Sequence, residues 1–233
     1  MTAPAGGPFA DWAVVVLDVD PPPADAAAVC DFARTHVERA EWTGDRVRYL
    51  RYQARKPVHD GEPVVYAGDP RVEQPTEHFV WDPAFVTAFP ALCRWIEALP
   101  FTVLHGFDLV TQTADVRPHL DVFGLNNSQT MFARNRALEP VFYRILFTGP
   151  DDDACRSRSF FVSREVDDPP TYVELPDGAS VIALTSSVAY HGATDRPGRK
   201  TTGVLYGVLD EQAHLELLRS EEHTSELQSR GLI

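Results

Sequence analysis

The chain has 233 residues, 44% of them hydrophobic and 24% charged, which is the composition of a soluble globular protein with a single buried core. Its net charge of -13 repels phosphate backbones and anionic lipid, so nucleic acid and membrane surfaces are excluded as first-choice partners. No window approaches the roughly 18 apolar residues of a membrane span, and the N-terminus has no basic stretch ahead of its apolar run, which argues against a signal peptide.

In chain order, "WAVVVLDVD" (12–20) reads as a strand. "PPPADAAAVCDFARTHVERAEW" reads as a helix with proline at its entrance. The three cysteines, Cys30, Cys93 and Cys155, are widely spaced and odd in number. They form neither a disulfide framework nor a zinc cluster, and they fit a reducing cytoplasm. "RVRYLRYQAR" alternates charged and apolar residues, as a half-exposed strand does. In "DPAFVTAFPALCRWIEALP" the residues Phe85, Phe89, Leu92, Ile96 and Leu99 fall on one face of an amphipathic helix, opened by Asp82 and bent at Pro90.

From Phe101 the pattern changes to short strands: "FTVLHGFDLVTQ", "VRPHLDVF", "PVFYRILFTG", "RSFFVS", "TYVELP", "SVIALTSS", "VAYHGAT" and "KTTGVLYGVL". Eight such strands preceded by helices predict a mainly β architecture with flanking helices, an antiparallel sandwich or barrel. The "LPDG" stretch carries tight-turn residues, and "GLNNSQTMFARNRALE" reads as a loop or short helix of the kind that covers a site. The chain divides into a helix-rich support (1–100) and a β-barrel core (101–210) within one domain, 1–218. The stretch "RSEEHTSELQS" resembles a translated sequencing adapter, so 219–233 is expected to be a non-native tail.

The chemistry centres on "VRPHLDVFG". Residues two apart on a strand share a face, so His119 and Asp121 are able to reach one metal ion together. His191 in "SSVAYHGATD" is the preferred third ligand, with His105 as its rival. Two imidazoles and a carboxylate on one face of an octahedron leave positions open for co-substrate and dioxygen, the arrangement of non-haem Fe(II) oxygenases.

The order "PHLD", then "LPDGASVIALTSSVAYHGA", then "GRKTT" resembles the Fe(II)/2-oxoglutarate-dependent dioxygenases over roughly residues 101–209. The resemblance implies a double-stranded β-helix (jelly-roll or cupin-like) barrel. It also implies His119, Asp121 and His191 as metal ligands, and Fe(II), 2-oxoglutarate and O2 as the reacting set. A basic residue is implied to hold the distal carboxylate of 2-oxoglutarate, and Lys200 and Arg199 stand where it is expected. Being adjacent on a strand, they face opposite sides. Lys200 has Thr202 on its face, whereas Arg199 offers a bidentate fork. Arg144, the one charge in "PVFYRILFTG", either meets a carboxylate inside or points to solvent, since burying it unpaired is costly. If it points outward, Tyr143 takes the inward position and offers its hydroxyl to the co-substrate.

Asn126, Asn127, Gln129, Arg134 and Arg136, like Arg156, Arg158 and Arg164, read as solvated loop residues with a lesser claim on substrate. Asp151 to Asp153 read as a turn. Since Asp121 is kept, the resemblance implies hydroxylation of an unactivated C–H bond and disfavours halogenation. With no recognition domain, the substrate is expected to be a small molecule such as a free amino acid or natural-product intermediate. The rival functions are a cupin-like metal isomerase or hydrolase without 2-oxoglutarate, and an inactive barrel serving as a binding module. No Gly-x-Ser-x-Gly elbow is present for serine hydrolysis.

Overall fold

The computed structural model describes residues 14–17, 19–43, 46–65, 78–119, 141–147, 160–163, 165–172, 181–185, 190–193 and 201–217. Before Phe101 come β1 (Val14–Val16), α1 (Ala26–Thr35), β2 (Arg39–Thr43), β3 (Arg46–His59), β4 (Glu62–Pro63), β5 (His78–Trp81), α2 (Pro83–Ala88) and α3 (Pro90–Glu97). After it come β6 (Phe101–Gln112), β7 (Val116–His119), β8 (Val141–Phe147), β9 (Phe160–Ser163), β10 (Thr171–Tyr172), β11 (Val181–Thr185), β12 (Tyr190–Ala193), β13 (Thr201–Leu209) and α4 (Glu211–Leu217). Each of the eight expected strands from Phe101 onward contains one of these.

All the ladders are antiparallel. A large sheet runs β1-β11-β8-β13-β6-β3-β2, with β4 and β5 also on β3, and a small sheet runs β10-β9-β12-β7. From β6 the chain alternates between them: β6 large, β7 small, β8 large, β9 and β10 small, β11 large, β12 small, β13 large. The molecule is therefore mainly β-sheet with a few helices. Among the described residues no helix is long and apolar enough to cross a membrane.

Two helical expectations change. Asp25, not proline, caps α1, its side chain accepting from the Ala27 N–H, and the prolines lie upstream of the cap. The end of the expected helix, "RAEWT", is strand β2, because pairing with β3 in the hairpin outweighs the local helical pattern. The "DPAFVTAFPALCRWIE" segment is two helices. Phe89, before Pro90, adopts φ -134° and ψ 57°, since proline pushes its predecessor out of the helical region. Asp82 caps the first of them, as expected.

One face of the large sheet is covered by helices. Alternation puts Phe107, Leu205, Tyr143 and Ala183, opposite one another on β6, β13, β8 and β11, into a core shared with Val29 of α1 and Leu92 and Ile96 of α3. Lys56 ties this layer together, donating to Glu38 and, at 2.9 Å, to the capping carboxylate of Asp82. The β3–β4 hairpin turns at Asp60 (φ 54°) and Gly61 (φ 78°), an Asp-Gly pair suited to two successive positive φ values. The second face of the large sheet carries Asp108, Val110 and Gln112 of β6, Thr202 and Val204 of β13, and Arg144 and Leu146 of β8.

Candidate metal and co-substrate site

The small sheet brings the two expected histidines together. His191 of β12 is the direct antiparallel partner of His119 of β7, so both side chains rise from the same face. Their ring centroids are 4.3 Å apart at 46°. His191 is buried and His119 half-buried.

A bulge shapes this pair. Two residues beyond His191, Ala193 is paired with Val116, three residues before His119, so β7 carries one extra residue between the two contacts. Arg117 and Pro118 thus stand opposite Gly192, and proline, lacking an N–H, is tolerated at such a break in the ladder. The bulge also turns the Arg117 carbonyl back toward the imidazole. His119 Nδ1 lies 3.0 Å from that oxygen. A carbonyl only accepts, so Nδ1 carries the proton of this bond, and Nε2 is the ring nitrogen that a metal ion would use.

Gly192 permits the close approach. A Cβ there would stand 2.4 Å from Cζ of Phe161 and 2.5 Å from the Val116 carbonyl oxygen. The sheets are joined beside the pair by Gln112 of β6, whose Nε2 donates to the Ala193 carbonyl at 3.2 Å.

Asp121, Lys200 and Arg199 lie outside the described residues, as do Asn126, Asn127, Gln129, Arg134, Arg136, Asp151–Asp153, Arg156, Arg158, Arg164, the "LPDG" turn and the adapter-like tail. Among the described residues no group of three His, Cys, Asp or Glu is placed to hold a metal ion. Arg144 and Thr202 share the large-sheet face that the helices leave uncovered, the face Gln112 also occupies.

Tyr143 is a correction. Arg144 does not point away from that face, and Tyr143 does not take its place. The tyrosine is fully buried in the helix-side core, and its hydroxyl is hydrogen-bonded to Nδ1 of His214 in α4 at 2.6 Å. Strand alternation forces this, since its direct neighbours Leu205 and Ala183 belong to the same core. Burial pushes the phenol well above its ordinary value, so it is a neutral hydroxyl engaged with an imidazole and not a group offered to co-substrate.

His105, the rival ligand, stacks on Phe79 of β5 at 4.9 Å. Burial, helped by the nearby Arg55 guanidinium, lowers its pKa to about 4. Cys30 is raised by burial, and Cys93 is raised to about 11 by burial and the nearby Glu97 carboxylate, so neither thiol is a ready nucleophile.

Sequence reading missed the bulge and Gln112. The single available signal for the first was Pro118 inside an otherwise alternating strand.

No protein-family model matches the sequence, and no curated protein matches it. Solved structures similar to the chain include a prolyl hydroxylase from Trichoplax adhaerens in complex with a hypoxia inducible factor oxygen degradation domain peptide fragment. It is 10% identical, with 89% of this chain and 87% of that one covered and a TM-score of 0.49. A 2OG-Fe(II) oxygenase family oxidoreductase from Burkholderia pseudomallei is 14% identical, with 84% of each chain covered and a TM-score of 0.42. A Pseudomonas putida prolyl-4-hydroxylase is 13% identical, with 84% and 91% covered and a TM-score of 0.40. Likenesses of this strength assign no activity.

Proposed function

We propose that the chain is an Fe(II)- and 2-oxoglutarate-dependent oxygenase that hydroxylates an unactivated C–H bond of a small molecule, built on a double-stranded β-helix. His119, Asp121 and His191 are its metal ligands. The observation that carries this reading is the direct pairing of His119 with His191, rings 4.3 Å apart, with His119 Nδ1 held on the Arg117 carbonyl. Two imidazoles so disposed suit a borderline divalent ion, and Asp121 follows His119 in sequence by the two residues that keep a carboxylate on the same strand face.

When bound, Fe(II) supplies the redox chemistry that couples dioxygen reduction to conversion of 2-oxoglutarate into succinate and carbon dioxide. The rest falls to the chain's own residues. Arg144 and Thr202 present a guanidinium and a hydroxyl on one face of the large sheet, a donor pair suited to a carboxylate. Lys200 has the same parity as Thr202, while Arg199 has that of Thr201, whose hydroxyl bonds to Thr111 at 2.9 Å. Lys200 is therefore the preferred cation for the distal carboxylate, with Arg199 the alternative. The apolar Val110, Leu146 and Ile182 on that face keep water away from the polar groups among them, which strengthens each electrostatic contact.

Succinate release tests the reading. Purified protein supplied with Fe(II), 2-oxoglutarate and oxygen is expected to release succinate slowly without substrate, and His191→Ala to release none. Metal binding without 2-oxoglutarate turnover would replace this reading with a cupin-like isomerase or hydrolase.

A further inference from the structure

We propose that Gln112 is a positioning residue that locks the bulged β7–β12 pairing and thereby holds His191 beside His119; the inference rests on the metal reading of that pair. Gln112 is the last residue of β6, buried, on the large-sheet face not covered by helices. Its side-chain nitrogen donates to two carbonyls, Ala114 at 2.9 Å and Ala193 at 3.2 Å. A carboxamide NH2 has two hydrogens, and both are used.

The two acceptors define the role. Ala114 lies in the turn that leads into β7, two residues before Val116. Ala193 ends β12, two residues after His191 and on the far side of the register shift. One side chain thus fixes the entry of the strand bearing His119 and the exit of the strand bearing His191. A bulge is where the ladder's own hydrogen bonding is interrupted, so an outside donor there decides the register. Without it, the one-residue offset that sets the two rings side by side depends on the ladders of β12 with β7 and β9.

The adjacent Thr113 supplies a control. Its hydroxyl donates to the Val47 carbonyl of β3 at 2.6 Å, anchoring the same turn to the large sheet without touching β12. A merely structural clamp would behave alike at 112 and 113.

The experiment is anaerobic titration of the apo protein with Co(II), which reports affinity and a ligand-field spectrum without turnover. Gln112→Glu keeps the shape and loses the donors, and Gln112→Met does so without burying a charge. Both are expected to raise the Co(II) dissociation constant by about tenfold to a hundredfold, to alter the ligand-field bands, and to speed amide exchange in β12 of the apo form. Thr113→Val is expected to leave affinity and spectrum unchanged. Wild-type affinity in Gln112→Met, or an equal loss in Thr113→Val, would overturn the inference. Folded wild-type protein that takes up no Co(II) would instead overturn the metal reading itself.

Discussion

At the residue scale, histidines are separated by what surrounds their ring nitrogens. His119 has a carbonyl on Nδ1 and a second imidazole alongside, whereas His105 is packed against Phe79. For His105 the linkage sign is direct. Its folded pKa of about 4 lies below the ordinary 6.5, so between these values the unfolded chain binds the proton and the folded chain does not. Stability falls as pH drops through that window, by roughly 2 to 3 kcal/mol. His105→Phe, which preserves the stacking, is expected to flatten this part of the stability–pH profile in urea titrations. A slope equal to that of the wild type would show that His105 titrates normally.

Tyr143 supplies the second residue-scale case. Tyr143→Phe removes the bond to His214 and is expected to cost about 1 kcal/mol in urea unfolding while leaving metal affinity intact. A large loss of 2-oxoglutarate affinity would restore the tyrosine to the site. Strand parity alone left two faces open for Tyr143 and Arg144. What decided between them was which face the helices cover, and that depends on tertiary packing invisible in the local pattern.

At the element scale, the β region was the most legible because alternation and turn residues repeat through it, and "FTVLHGFDLVTQ" is β6 from its first residue to its last. β2 was not, because "HVERAEW" follows a real helix and carries no signal strong enough to stop it. The bulge in β7 was hidden for a related reason: an alternating strand with Pro118 looks the same whether the partner runs in simple register or one residue off. Its consequence is testable at Gly192. Gly192→Ala is expected to destabilise the protein by about 2 kcal/mol or more in urea unfolding, because the new methyl meets both the Phe161 ring and the Val116 backbone carbonyl. Trimming the ring with Phe161→Leu is expected not to rescue it, since the carbonyl remains. Rescue would locate the constraint in the aromatic side chain instead of the bulge.

At the scale of the whole molecule, a helix-backed large sheet presents its other face beside a small sheet that carries the histidines. Lys56 holds the helical layer, and its charge partners give that layer a pH signature. Burial alone would raise Asp82, but the bond from Lys56 and the neighbouring Tyr52 hydroxyl hold it below its ordinary 3.8. Burial alone would lower Lys56, but its bonds to Glu38 and Asp82 hold it above 10.5. The carboxylate's contribution is complete above pH 3.8 and is lost as pH falls through its lower folded value. The ammonium's is complete below 10.5 and is lost as pH rises through its higher one. Lys56→Met, which leaves two part-buried carboxylates unpaired, is expected to cost about 3 kcal/mol between those limits and progressively less outside them. A pH-independent deficit would point to lost packing instead.

The central claim is that His119 and His191 hold iron with 2-oxoglutarate bound to it. Its most direct test is the visible absorption of the anaerobic protein with Fe(II) and 2-oxoglutarate. The account predicts a weak charge-transfer band that is lost in His119→Ala and in His191→Ala and kept in His105→Phe. A folded, iron-loaded wild-type protein with no such band would contradict it.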